Sequence, residues 1–498
     1  MIHRILTAVL VAGFLIATAS VEPRAADRAA DPPNGPAMVG SQEGSIWFCA
    51  AGSASTVSPI THQLELVNTS GSDLHASIEG FGTSATQVWR KSVTVTRLST
   101  VTVSTSEIGE GVESLSIIFD GAGGLAQHRF LSNETIDTTT CQNSGAPAWH
   151  FAAASTELRT TSSKLHLFNP FPSDASVNVS IVTADGVHTP ESLNGIRVAG
   201  RSAMVIELAQ PVPLYASFAI SVTTQVGRLV AELTQSTTAT TGQRGLRILQ
   251  GVAEPRGDWV FADGFAGEGF NEELTVYNPN KESAEAVVQV YPSDITDGLP
   301  EPFVVSVGGR RTSSLHFSGK TPGADAEALD AARLPKSGPR WIRVSSKSPV
   351  VVNRVVSIVA AGGSGGPEDR PSISAGQANS TGTSVISKRL TFASVSAGTG
   401  KEVLVIANPS PDQIAVVRVS QIGGGQESAI IDRIEVPPNG SLPIDLSEFL
   451  SEQNVGLAVE SSSAVAGELR VSSQSRSDFS VTTPAYGSAE AEYVSSPS

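Results

Sequence analysis

Apolar and polar residues alternate along most of this chain in short runs that stop at turn-forming residues. "LHLFNPFPSD", from Leu165, alternates and then halts at Asn169-Pro170; the phrase returns as "LTVYNPNKES" from Leu274, as "VLVIANPSPD" from Val403 and, fainter, as "LELVNTSGSD" from Leu64. A period of two puts successive side chains on opposite faces, so each run predicts a strand with one apolar and one polar face. Proline cannot donate to a sheet ladder and asparagine readily starts a turn, so Asn-Pro marks where the strand ends.

The phrases belong to a larger repeat. "WFCAAG" at Trp47, "WHFAAA" at Trp149, "WVFADG" at Trp259 and the Trp-less "LTFASV" at Leu390 each precede a strand ending in Asn, at Asn68, Asn169, Asn278 and Asn408. Each unit then shows about seven alternating runs, and two sheets packed face to face are the simplest way to bury them in roughly 100 residues. The predicted fold is all-β: four tandem immunoglobulin-like antiparallel β-sandwich domains after an N-terminal signal or anchor segment. The segments are 1–20 (signal peptide or anchor), 21–44 (disordered linker), 45–142, 147–253 and 257–359 (three sandwiches), 360–385 (flexible linker), 386–475 (the fourth sandwich) and 476–498 (disordered tail). Short helices are expected at "GADAEALDAARL", from Gly323, and "PIDLSEFLSEQ", from Pro443, between the fifth and sixth strands of their units. A β-propeller is the alternative architecture, but it needs a period near 40 to 50 residues, and no such half-period echo is present.

Composition places this fold outside the cytoplasm. Arg4 precedes an apolar run from Ile5 to Ala19 that ends in Ala17-Thr18-Ala19, the layout of a secretory signal. The run is short of the roughly 20 residues that span a bilayer comfortably, so any membrane link is through an N-terminal anchor. Cys49 and Cys141 are the two cysteines, and export predicts a disulfide between them. Closing that loop should stabilise by roughly 4 to 5 kcal/mol in the chain-entropy picture. The formal charge of -15 argues against nucleic acid as a partner.

Candidate chemistry is sparse. The histidines, His3, His62, His75, His128, His150, His166, His188 and His316, show no metal-binding spacing and read as exposed strand positions; His150 and His166 share unit two and could lie near each other. Gly362-Gly363-Ser364-Gly365-Gly366 spells a nucleophile elbow but sits in the linker, and "SGKTPG" from Ser318 lacks the glycine of a phosphate loop. No catalytic, cofactor-binding or metal residue is therefore predicted. Asp120, Asp137, Asp258 and Asp263 near predicted domain edges are the only candidates for inter-domain calcium. Asn68, Asn133, Asn178, Asn379 and Asn439 match the glycosylation acceptor rule, which a Ser/Thr-rich chain meets by chance. Trp47, Trp149 and Trp259 are candidate aromatic contacts for a sugar, although their common place in each unit favours packing.

The export signal, "WFC" near the mature start, one further Cys and the tandem strand-Asn-Pro phrases together resemble an uncharacterised family of secreted or membrane-anchored actinobacterial envelope proteins. The likeness runs from about Trp47 to Ser473, with "NTS" in unit one departing from the pattern. It implies residence in the cell envelope and a link to surface glycan assembly, and it carries over no catalytic residue. The expected function is a non-enzymatic extracytoplasmic scaffold or binding protein, with other envelope proteins or surface glycans as partners. The alternative is a glycan-binding accessory in envelope polysaccharide assembly or export.

Overall fold

The structure is a computed structural model that describes residues 38–39, 45–52, 60–133, 135–157, 161–238, 244–266, 270–293, 298–317, 334, 338–358, 376–395, 400–450, 454–473, 478–487 and 491–494. All lie in one compact unit, Asn34–Ser498. Its regular structure is almost wholly antiparallel strand, as alternation and the Ser, Thr and Val content demand. The leader at 1–20 and the helix expected at 323–333 fall outside the described residues. "PIDLSEFLSEQ" contributes a 3-10 turn at Leu446–Glu448, started by the Asp445 side chain accepting from the Ser447 amide.

One strand order recurs along the chain. In the second repeat unit, here unit II, one layer runs Ala148–Ala154, Phe218–Val226, Ala175–Val182, Val187–His188. The other runs Ser202–Glu207, Thr161–Asn169, Val230–Thr238, Arg244–Gln250. Units I, III and IV repeat the order, but in III and IV one long strand, Gly338–Ile358 or Val455–Ser473, passes through both layers. Each unit thus has a final strand beyond the seven runs: Ile136–Thr140, Arg244–Gln250, Gly376–Thr381 and Asp478–Thr482. Two of these correct the sequence reading. Gly376–Thr381 lies in the stretch read as linker, and Asp478–Thr482, Ala485–Gly487 and Ala491–Tyr493 lie in the stretch read as tail. "GQANST" lacks alternation and "DFSVT" alternates over only five residues, and the polar side chains of both bond to neighbouring units instead of facing water.

The repeated Asn closes a turn from inside. Asn169 is fully buried; its Nδ2 donates to Ser173 O at 2.8 Å and Val198 O at 3.1 Å, and its Oδ1 accepts from Phe171 N at 3.1 Å. Asn68, Asn278 and Asn408 make the corresponding bonds. With its amide so used, Asn68 offers no acceptor nitrogen for a glycan. The Trp position is equally regular: Trp47, Trp149 and Trp259 donate Nε1 to Gly124 O, Leu229 O and Val350 O, the carbonyls opposite or beside those asparagines across the sheet.

The units do not stand in series. Residues after the Trp position in each unit pack on the next unit's second layer: Phe48, Ala50 and Phe81 of unit I join the core of unit II, Ala152, Val182 and Ala219 of II join that of III, and Val260 and Ala262 of III pack with Ala407 and Ala466 of IV. Ala393, Ile422 and Ala458 of IV then join the core of I, which closes a ring. The four final strands meet at its centre through side chains. Asp478 accepts from Ile136 N and Gln377 N, Asp137 accepts from Ile248 N, and Thr482 Oγ1 donates to Thr138 O. Gly245, at φ +138°, is required there, because a Cβ would lie 2.7 Å from Asp478 Oδ1. Met38–Val39, in the stretch read as linker 21–44, adds in parallel to Ala485–Gly487 and ties the start of the body to unit IV. The sequence expectation of an extended array is corrected to a closed body.

Candidate functional site

The ring has four seams built on one plan. Counting from the carbonyl opposite the repeated Asn, the third residue along the facing strand is Gln127, Glu232, Asn353 or Glu468, and all four are buried. Three of them receive a backbone N–H from the preceding unit: Ala51 N to Glu232 at 2.7 Å, Ala152 N to Asn353 at 2.6 Å, Asp263 N to Glu468 at 2.6 Å. At the fourth seam Gln127 bonds Glu65 at 3.1 Å, and Glu65 bonds Ser394 of unit IV.

The next residue along, His128, Leu233, Arg354 or Leu469, sets the character of the seam that follows. At III–IV, Arg354 lies between Glu272 and Glu468, at 3.7 and 3.1 Å, with Arg340 on Glu272 and Arg470 on Asp263. Seam I–II places His62, His128 and Glu232 at the same three addresses. His62 Nε2 meets His128 Nδ1 at 3.2 Å, and His128 Nε2 lies 3.6 Å from Glu232 Oε2. All three are buried, and His62 stacks on Phe130 at 4.4 Å. Burial holds the His128 and His166 rings down to about 3 and His62 well below its usual value, and pushes the Glu232 carboxyl up to about 8. At neutral pH the triad is therefore uncharged, its one acidic proton on Glu232.

In front of this triad a cavity of ≈ 350 Å³ opens between units I and II, lined by Glu113 and Phe130 from one and Lys164, His166, Thr234 and Ser236 from the other. A wider cleft of ≈ 630 Å³ lies between III and IV, with the half-buried Tyr291 stacked on Trp341 at 4.0 Å, and with Lys388 and the exposed Tyr493 on its walls. Both cavities are of a size that holds a small ligand or one residue of a polymer.

Cys49 and Cys141 are bonded, with Cα atoms 4.8 Å apart. Trp47, Trp149 and Trp259 are 0%, 2% and 3% exposed, so none presents a face to a sugar. His62, His128, His150 and His166 are buried, against the expectation of exposed strand positions: neighbouring units cover the outer sheet faces that carry His150 and His166, and His62 and His128 lie on the core side of their strands, in phase with Leu64 and Leu66, where unit II closes the end of the sandwich. His150 bonds Ser221 and His166 bonds Thr234, on different sheets of unit II, so these two are not brought together. Asp137 and Asp263 are buried at seams, Asp258 pairs with Arg343 and Asp120 with His75; among the described residues no group of three or more His, Cys, Asp or Glu is placed to hold a metal ion. The His62–His128–Glu232 set was missed in sequence, although aligning the four units on their asparagines would have exposed a polar residue at one address in every unit.

A comparison with curated proteins finds no match. Among solved structures, Thermotoga maritima 1070 aligns at 20% identity over 26% of this chain and 93% of its own, with a TM-score of 0.18. The Anabaena sensory rhodopsin transducer aligns at 23% identity over 20% of this chain and 87% of its own, with a TM-score of 0.17. A family described as "Family of unknown function (DUF5719)" matches residues 133–389, from the end of unit I to the first strand of unit IV. That match covers more than half of the sequence, and the chain belongs to this family.

Proposed function

We propose that this chain is a non-enzymatic extracytoplasmic envelope protein: four immunoglobulin-like sandwiches locked into one rigid binding scaffold, with partners seated in the clefts between units. The observation that carries this reading is the seam plan, in which each unit's opening strand enters the next unit's core. Such a body gives up the reach of a linked array and holds its clefts in fixed geometry, which lowers the ordering cost of binding. The Cys49–Cys141 bridge is in keeping with an oxidising compartment.

A glycan partner is the second reading, supported by the cleft between units III and IV, where Tyr291 and Tyr493 rings lie beside Lys388. Aromatic rings flanked by a hydrogen-bond donor suit a pyranose. The test is a screen of the full-length protein against arrayed glycans and against purified envelope proteins, with Tyr493→Ala and Lys164→Glu as cleft variants. Binding lost in one variant supports a cleft-seated partner. Binding unchanged in both, or turnover of any arrayed glycan, would overturn the scaffold reading.

A further inference from the structure

We propose that the seam between units I and II is an acid-sensitive latch: mild acid opens the closed body there first, along His62, His128 and Glu232, while seam III–IV stays shut. The proposal rests on a substitution visible at equivalent addresses. Where seam III–IV carries Glu272, Arg354 and Glu468, seam I–II carries His62, His128 and Glu232. A permanent cation between two carboxylates is replaced by two titratable rings and one carboxyl, all buried. Seam II–III has Leu233 and Asn353 at the corresponding places, and seam IV–I has Leu469 and Gln127. Neither has a histidine at these addresses, although at II–III the buried His150 ring of unit II lies against Tyr277 of unit III.

The groups that face the triad are few. From unit II come His166 and Lys164, the latter already paired with Glu207 at 3.0 Å. From unit I comes Glu113, whose backbone oxygen lies against Gly52 beside the His62 ring. Alternation places Glu65 and Arg129 on the opposite face of their strands, toward unit IV, where they pair with each other at 2.9 Å. Asp137 and Arg247 face each other further along, at the ring centre. Among the described residues no carboxylate is bonded to His62 or His166, so a proton entering the rings adds uncompensated charge to a buried seam. Opening the seam returns those rings to water.

The balance can be worked out. A histidine that titrates near 6.5 only when the seam is open favours opening by about 30-fold at pH 5, and His62, His128 and His166 each do so. Glu232 works the other way, because the closed state holds its proton up to about 8; between pH 7.5 and 5 it opposes opening by roughly 200-fold. The net rise in the opening equilibrium is on the order of a hundredfold. At seam III–IV the Arg354 cation is permanent, and the raised Glu468 carboxyl favours the closed state as pH falls.

Hydrogen–deuterium exchange of the full-length protein from pH 7.5 to 5, corrected for intrinsic rates, reads this directly. Peptides covering 60–68, 124–131 and 230–238 should lose protection by about a hundredfold, while 466–473, on the unit IV side of seam III–IV, changes less than about twofold. His128→Gln, which keeps a neutral donor and acceptor, should cut the rise to roughly fourfold; His62→Gln is the second variant should the first not fold. His75→Gln, at an exposed ring, should leave it unchanged. Parallel loss at both seams, loss at III–IV first, or an unaltered rise in both triad variants would overturn the latch.

Discussion

Seams I–II and III–IV share backbone geometry and differ in chemistry. Both seat a buried carboxyl under a backbone N–H from the unit before, through Ala51 and Glu232 in one and Asp263 and Glu468 in the other. Behind the carboxyl one seam has a guanidinium held by two acids, and the other has two neutral imidazoles. The fold therefore fixes where a polar group must sit and leaves open how its charge is balanced. The first choice ties the seam to ion pairing, and the second ties it to pH.

The comparison breaks most visibly at its cations. Arg354→Met leaves Glu272 and Glu468 buried without their shared partner and should cost about 3–5 kcal/mol in urea denaturation, whereas His128→Met removes one neutral hydrogen bond and should cost about 1–1.5 kcal/mol. Equal costs would mean the two seams are energetically alike. Next in size, Asn169→Ala should cost about 2–3 kcal/mol, because it strips buried carbonyls of their donor; the same change at Asn278 should cost about as much, since the turn clamp is common to both halves. A large difference between them would show that the units are not equivalent in their turns.

The smallest effect is the most discriminating. Glu232→Gln should cost under about 1 kcal/mol below about pH 4.5, where the carboxyl it replaces is protonated whether the chain is folded or unfolded. Its folded value of about 8 lies above the unfolded one near 4.5, so its contribution is complete below about 4.5 and is lost as pH rises through 8. The variant should therefore already be more stable than the parent at pH 7, with the gap widening up to about pH 8, measured by thermal melts across pH. Glu468→Gln should instead cost about 3 kcal/mol at pH 7, as Arg354 loses a charged partner.

Alternation made the sandwich strands legible, and the Asn and Trp phrases made the repeat legible, because each serves a local geometric need that returns in every unit. The ring was not legible. Glu232 and Glu468 read as the wet face of a half-exposed sheet, and only the neighbouring unit's opening strand turns that face into an interior. For the same reason two final strands read as linker and tail: "GQANST" and "DFSVT" take side-chain and backbone partners from other units. His150 and His166 were misread as exposed by the same logic, and His62 and His128 because unit II closes the end of the core face that they share with Leu64.

Small-angle scattering of the full-length protein at neutral pH tests the closed body most directly. A single compact body of this length has a radius of gyration of about 23 Å, and four sandwiches strung end to end would give roughly 40 Å. The account predicts a value within a few ångströms of the first; a value near the second would contradict it.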